Sequence, residues 1–107
     1  MKEAVIRRKI IKILEGKGYV CWYPFHIRYK KEVDIFGIYD IISINSKAEI
    51  LLIQFTTLSN IRAREKKVKK FLKEHNIFFP VSYPVRSEVW GYDKRKKVFK
   101  VIKVYNG

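Results

Sequence analysis

The chain has 107 residues, 48% of them hydrophobic and 15% aromatic, which is enough apolar material to give a single domain its own core. Lys and Arg number 24 against 10 Asp and Glu, a formal charge of +14 that self-repels unless a polyanion offsets it, so nucleic acid is the expected partner. The lone Cys21 excludes an internal disulfide and has no partners at zinc-ligand spacing, and no run approaches the roughly eighteen uncharged apolar residues of a bilayer span; a soluble, intracellular (cytoplasmic) protein with no membrane partner is expected. Charge alone also admits an anionic membrane surface, or a basic chain from a Lys- and Ile-rich proteome.

Residues 2 to 17 read as a helix, because Ile6, Ile10, Ile13 and Leu14 recur at helical spacing and Gly16 and Gly18 mark its end. Tyr19 to Tyr23 is a short β-prone run stopped by Pro24, with a loop from Phe25 to Lys31. Val33 to Ile44 and Ile50 to Thr57 form a hairpin about the polar turn Asn45-Ser46-Lys47, and its second strand is apolar on both faces, as a central strand should be. Ser59 or Asn60 is placed to cap a second helix, 61 to 75, whose apolar stripe is Ile61, Val68, Phe71 and Leu72 and whose other faces are basic. Phe78 to Val81 follows, then a closing hairpin with strands 88 to 92 and 98 to 105 about Asp93-Lys94-Arg95-Lys96. With no repeat or linker, residues 1–107 are one α/β domain in the order α-β-β-β-α-β-β, a central mixed β-sheet with a helix on each face.

Polar side chains that the pattern points inward are the candidate functional groups, since burying one costs a few kcal/mol unless it is paired or does chemistry. Steps of about 100° put Glu3 on the side of Ile6, Ile10 and Leu14, while Glu15 falls on the opposite face. Glu3 is either inward and functional or a terminal acid that complements the helix dipole. Asp40 opens the apolar run Ile41-Ile42-Ser43-Ile44 and Asp34 precedes Phe36-Gly37; such acids hold a hard cation or cap a turn. Gln54 and Thr56 share one face of an otherwise apolar strand, where Gln54 joins a site or satisfies a loop. Arg64 belongs to the inward stripe of the second helix and Lys67 lies at its border, where a snorkelling stem is the plain alternative.

An inward Glu on the first helix, Asp40 at a strand mouth, Gln54-Phe55-Thr56 on the next strand and a basic helix after it resemble the PD-(D/E)XK nuclease superfamily. Residues 3 to 19 look like the first helix and turn of archaeal Holliday-junction resolvase-like members. The run Val33-Asp34-Ile35-Phe36-Gly37-Ile38-Tyr39-Asp40-Ile41 is similar to an Asp-x-Phe-Gly-x-x-Asp segment of viral and archaeal members. Those members also carry a Gln-x-Thr strand, then an Asn and an Arg-rich helix, as in Asn60 to Lys67 here, and a closing strand like Glu88-Val89-Trp90-Gly91-Tyr92. Gln54 stands where the family has Glu, and Thr56 where it has the active Lys.

The resemblance implies a restriction-endonuclease-like fold and a Mg²⁺- or Mn²⁺-dependent nuclease acting on DNA rather than RNA, as a two-fold homodimer in resolvase-like members. Its implied metal ligands are Asp40, Gln54, Glu3 and Asp34, with Arg64 or Lys67 replacing the missing lysine beside Thr56. Arg62, Lys66, Lys69 and Lys70 of the second helix, with Lys94, Arg95 and Lys96 at the hairpin tip, would hold phosphates without reading bases. The alternative is a non-catalytic basic module on which Trp90, Tyr92 and Tyr105 stack bases.

Overall fold

A computed structural model of the chain describes residues 3–24, 34–80 and 84–105. Helix α1 (Glu3–Gly16) buries Ile6, Ile10 and Leu14, a four-residue spacing that makes one stripe. It stops because Gly18 takes φ 89°, which lets the Gly18 N–H reach Glu15 O and the Tyr19 N–H return to Leu14 O, both at 3.0 Å. Strands β1 (Val20–Trp22), β2 (Ile41–Ile44) and β3 (Ile50–Thr57) follow, then a 3-10 turn (Leu58–Asn60), helix α2 (Ile61–Glu74), and strands β4 (Val85–Asp93) and β5 (Val98–Lys103). This is the element order the pattern predicts.

The five strands pair in the order β1-β2-β3-β4-β5, all antiparallel except β3 with β4. A parallel pair needs a crossover, and α2 supplies it. Both faces of β3 are therefore covered, and Leu51 through Thr56 are all buried. Ile53, Phe55, Trp90 and Tyr92 pack with the α1 stripe, whereas Leu52, Val89 and Val104 pack with Ile61, Val68 and Leu72 of α2. Alternation thus sends Gln54 and Thr56 to the α2 side. Gly91 lies on that side too. A Cβ there would come within 2.8 Å of Ile61 Cδ1 and 3.1 Å of Ile61 Cβ, so its bare backbone lets α2 start close against β4.

Several expectations are corrected. The first strand of the β2–β3 hairpin is four residues, not the whole run from Val33 to Ile44. Ile35 and Tyr39 instead bridge across a tight loop whose apex residues Phe36 and Gly37 have φ 56° and 71°. Val33, Val81 and the segment from Phe25 to Lys31 lie outside the described residues. Neither candidate side-chain cap serves α2: Asn60 is the N-cap residue but makes no capping bond, and its Nδ2 donates to Thr57 Oγ1 at 3.3 Å. Phe71 and Cys21 are half-buried. The last strand ends at Lys103, not Tyr105. Trp90 and Tyr92 are each 5% exposed, so neither offers a face for base stacking.

Candidate functional site

The Ile35–Tyr39 loop folds Asp34 back beside Asp40. Ile35 and Tyr39 exchange backbone hydrogen bonds at 2.7 and 2.9 Å, and the Gly37 N–H donates to Asp34 O at 2.9 Å. Tyr39 anchors the loop: it is 1% exposed, its hydroxyl lies 2.7 Å from Ser87 Oγ on β4, and its ring meets Phe71 of α2 edge-on. Burial pushes the Tyr39 hydroxyl above its ordinary pKa, partly opposed by the Ser87 bond.

Asp40 follows at once. Its N–H donates to Ile53 O at 2.8 Å and its Oδ2 accepts the Phe55 N–H at 2.9 Å, so backbone and carboxylate grip the residues on either side of Gln54. The pairing Ile41↔Ile53, continued by one residue, sets Asp40 across from Gln54 at the end of β2. The carboxylate takes the place of the main-chain acceptor that an extended β2 would have offered.

Burial is the main reason the Asp40 carboxyl rises from 3.8 to about 7; the Phe55 N–H opposes the rise, the charges of Asp34 and Glu3 add to it, and Arg64 opposes it. Three residues singled out from sequence therefore act on a fourth, Asp40, although the four come from the start of α1, the loop, the mouth of β2 and the first turn of α2. Glu3 does so from an exposed position, not an inward one. Lys67 is exposed and is not among the charges acting on Asp40, so among the described residues Arg64 is the cation at this rim.

Gln54 is 2% exposed, and its Oε1 is buried without a hydrogen-bond partner among the described residues. Such an atom loses its water and gains nothing in return, a cost of about 1–3 kcal/mol. Thr56, two residues on, is 9% exposed. Among the described residues no three His, Cys, Asp or Glu form a group able to hold a metal ion. Of the four ligands the sequence suggests, Asp40 and Gln54 adjoin, whereas Glu3 and Asp34 act on Asp40 through charge.

The cationic residues are partly neutralised within α2. Arg62 and Lys69 both pair with Glu65, at 3.0 and 3.2 Å, and hold its carboxyl below the usual range, chiefly through the Arg62 hydrogen bond. Lys70 lies 3.8 Å from Glu74. Lys66 and Lys67 are exposed and make no ion pair with the described residues. At the β4–β5 tip Asp93 Oδ1 accepts the Arg95 and Lys96 N–H groups at 3.0 and 3.3 Å, which leaves the side chains of Lys94, Arg95 and Lys96 in solvent.

Sequence reasoning missed Glu88. It is 5% exposed on the α1 side, where its Oε1 accepts the Trp90 indole N–H at 2.9 Å. An acid set between Ser87 and Val89 in a β-prone run was the available signal, the same one that marks Asp40.

No family model matches the chain, and no curated protein does. Among solved structures it is similar to SPO1766, a protein of unknown function from Silicibacter pomeroyi, with a TM-score of 0.44 and 16% identity over 94% of this chain and 68% of that one.

Proposed function

We propose that this protein is a divalent-metal-dependent phosphodiester hydrolase of nucleic acid, a DNA endonuclease with a variant PD-(D/E)XK site on a restriction-endonuclease-like fold. The observation that carries the reading is the cross-strand position of Asp40 opposite Gln54, whose buried Oε1 has no hydrogen-bond partner among the described residues, at a rim where the charges of Glu3, Asp34 and Arg64 act on Asp40. A helix, an antiparallel three-strand meander, a crossover helix and a parallel fourth strand are the supporting frame.

The residues present fit Mg²⁺ or Mn²⁺. These hard ions take oxygen donors and are commonly held by one or two carboxylates with waters and substrate phosphate completing the shell, so no all-protein cage is required. Asp40 would give a carboxylate oxygen and Gln54 its orphaned carbonyl oxygen, and Glu3 and Asp34 would add negative potential. Such an ion supplies Lewis-acid polarisation of the scissile phosphate and activation of a water. Asp40 must be ionised to contribute, so the cation competes with its proton and metal binding should strengthen as pH rises through about 7. Arg64, whose charge acts on Asp40, would neutralise charge developing on phosphorus, the task the family gives its lysine and Thr56 cannot perform. Exposed lysines of α2 and the hairpin tip hold flanking phosphates, which favours a substrate chosen by shape.

The test is incubation of the purified protein with plasmid, branched and single-stranded DNA in Mg²⁺ or Mn²⁺, comparing wild type with Asp40→Ala. Cleavage that Asp40→Ala abolishes is expected. Undiminished cleavage by the variant removes the site. DNA binding without cutting in either metal replaces the hydrolase with a non-catalytic binding module, which must then bind without Trp90 or Tyr92 as stacking platforms.

A further inference from the structure

Two hollows lie along the α1 side of the sheet. A cleft of about 590 Å³ begins at Ile6, one turn from Glu3, and at Thr57, two residues beyond Phe55, and is roofed by the hairpin tip. Tyr92 also lines the second hollow, a groove of about 780 Å³ between α1 and β5, so the two adjoin at this side chain. The cleft end of this track therefore opens one turn along α1 from Glu3, whose charge acts on Asp40. By helical rise, Lys9 lies about 9 Å along α1 from Glu3, and Gly16 about 10 Å beyond Lys9.

The walls of this track are cationic and its floor is apolar. Lys9, Lys12, Lys17 and Lys97 border the groove, and Lys94, Arg95 and Lys96 border the cleft. Asp93 is the one acid among the described lining residues, and its Oδ1 is occupied by backbone N–H groups. Between the lysines the groove presents Ile13, Val98 and Val101, which are 38%, 52% and 40% exposed, with half-buried Phe99.

From this juxtaposition of lysine walls and apolar floor we infer that the track binds a single-stranded nucleic-acid segment running along α1 away from its Glu3 end. A duplex hides its base faces and offers phosphates alone, which leaves the apolar floor without a partner. A single strand offers both, phosphates for the lysine walls and base faces for Ile13, Phe99 and Val101. A second copy of this chain docked by the same face would set lysines against lysines, which disfavours a homodimer formed through this groove. The inference deepens the hydrolase reading by naming a substrate with a single-stranded flap or tail, and it rests on that reading for the cleavage half of its consequences. Binding to the track stands without it.

The experiment keeps the two apart. Fluorescence anisotropy of a fluorescein-labelled oligothymidylate of about 12 nucleotides is measured with EDTA present, so cleavage plays no part. The Lys12→Glu/Lys17→Glu double variant changes two exposed groove residues, and Lys66→Glu/Lys70→Glu makes the same charge change on exposed α2. The groove variant is expected to lose at least about 10-fold in oligothymidylate affinity and the α2 variant less than about 3-fold, with the order reversed for a blunt duplex. Lys97 has φ 56°, so Lys97→Gly removes a groove charge while relieving backbone strain, and it should weaken oligothymidylate binding without lowering the melting temperature. Ile13→Ser should weaken the oligothymidylate and leave the duplex unaffected. Equal losses from the groove and α2 pairs, or light scattering that shows the groove closed in a dimer that Lys12→Glu/Lys17→Glu disrupts, would overturn the inference. Neither result bears on whether wild type cuts DNA in Mn²⁺.

Discussion

Asp40→Asn isolates the charge at the rim. In the folded chain the carboxyl is lifted from 3.8 to about 7, mainly by burial, so the fold binds this proton more tightly than the unfolded chain does. The stabilisation that follows is complete below about pH 3.8 and is lost as pH rises through about 7. Each pH unit between those values is worth ~1.4 kcal/mol, so full ionisation costs the metal-free fold ~4 kcal/mol, of which ~3 kcal/mol falls between pH 5 and pH 8. Asn keeps an oxygen for the Phe55 N–H but has no proton to lose. Urea unfolding in EDTA should therefore show wild type weakening by ~3 kcal/mol from pH 5 to pH 8 relative to Asp40→Asn, equivalent to more than about 10 °C in melting temperature. Adding Mn²⁺ at pH 8 should restore wild type and leave the variant unchanged, because a cation at Asp40 stabilises the ionised form that burial penalises. If both proteins show the same pH dependence, Asp40 is not the buried acid described. If wild type gains nothing from Mn²⁺, the metal part of the reading fails.

Three further outcomes follow from named contacts. Gln54→Glu sets a second carboxylate across from Asp40 and should tighten Mn²⁺ binding by about 10-fold or more in calorimetry while lowering metal-free stability at pH 8; an unchanged affinity would place Gln54 off the ion. Arg64→Ala should depress cleavage by at least about 10²-fold and raise the Asp40 pKa still further, whereas Lys67→Ala, which removes an exposed charge, should leave the pKa in place and cost less than about 5-fold in rate; comparable losses from the two would erase the distinction drawn between them. Gly91→Ala puts a methyl against Ile61, and the displacement of α2 should cost about 1–3 kcal/mol and reduce the influence of Arg64 on Asp40, seen as a raised midpoint in a carboxyl titration by NMR.

Regular amphipathic elements were legible from the chain alone. Ile6, Ile10 and Leu14 specify α1, and Ile61, Val68 and Leu72 specify α2, because a helix that buries one stripe leaves a 3.6-residue signature whatever it packs on. The two-sided burial of β3 was equally visible in Ile50 to Phe55. The Phe36-Gly37 loop was not, since Ile35, Ile38 and Tyr39 are as apolar as strand residues and only the left-handed backbone at the apex distinguishes them. Asp34, read as a cation ligand or a turn cap, belongs to that loop, and its charge acts on Asp40. Trp90 and Tyr92 looked like stacking platforms because alternation along one strand says which residues share a face but not that α1 covers it. The inward polar groups were found by their cost: Asp40 and Gln54 are conspicuous among apolar neighbours, and their meeting depends on a hairpin register that Asn45-Ser46-Lys47 announces. The same reasoning, applied to Glu88, would have flagged it.

The outer position of β5 gives its lysines another use. An edge strand with Val98 and Val101 exposed invites a neighbouring molecule's strand to add on, and Lys100 and Lys103, both exposed on that strand, impose an ammonium group on any such docking. That protection is electrostatic, and at 1 M salt it reaches only about 3 Å. Concentrated salt, commonly used to strip nucleic acid from basic proteins, should therefore promote edge-to-edge stacking of sheets from separate molecules, and the soluble preparation is the one kept at moderate ionic strength.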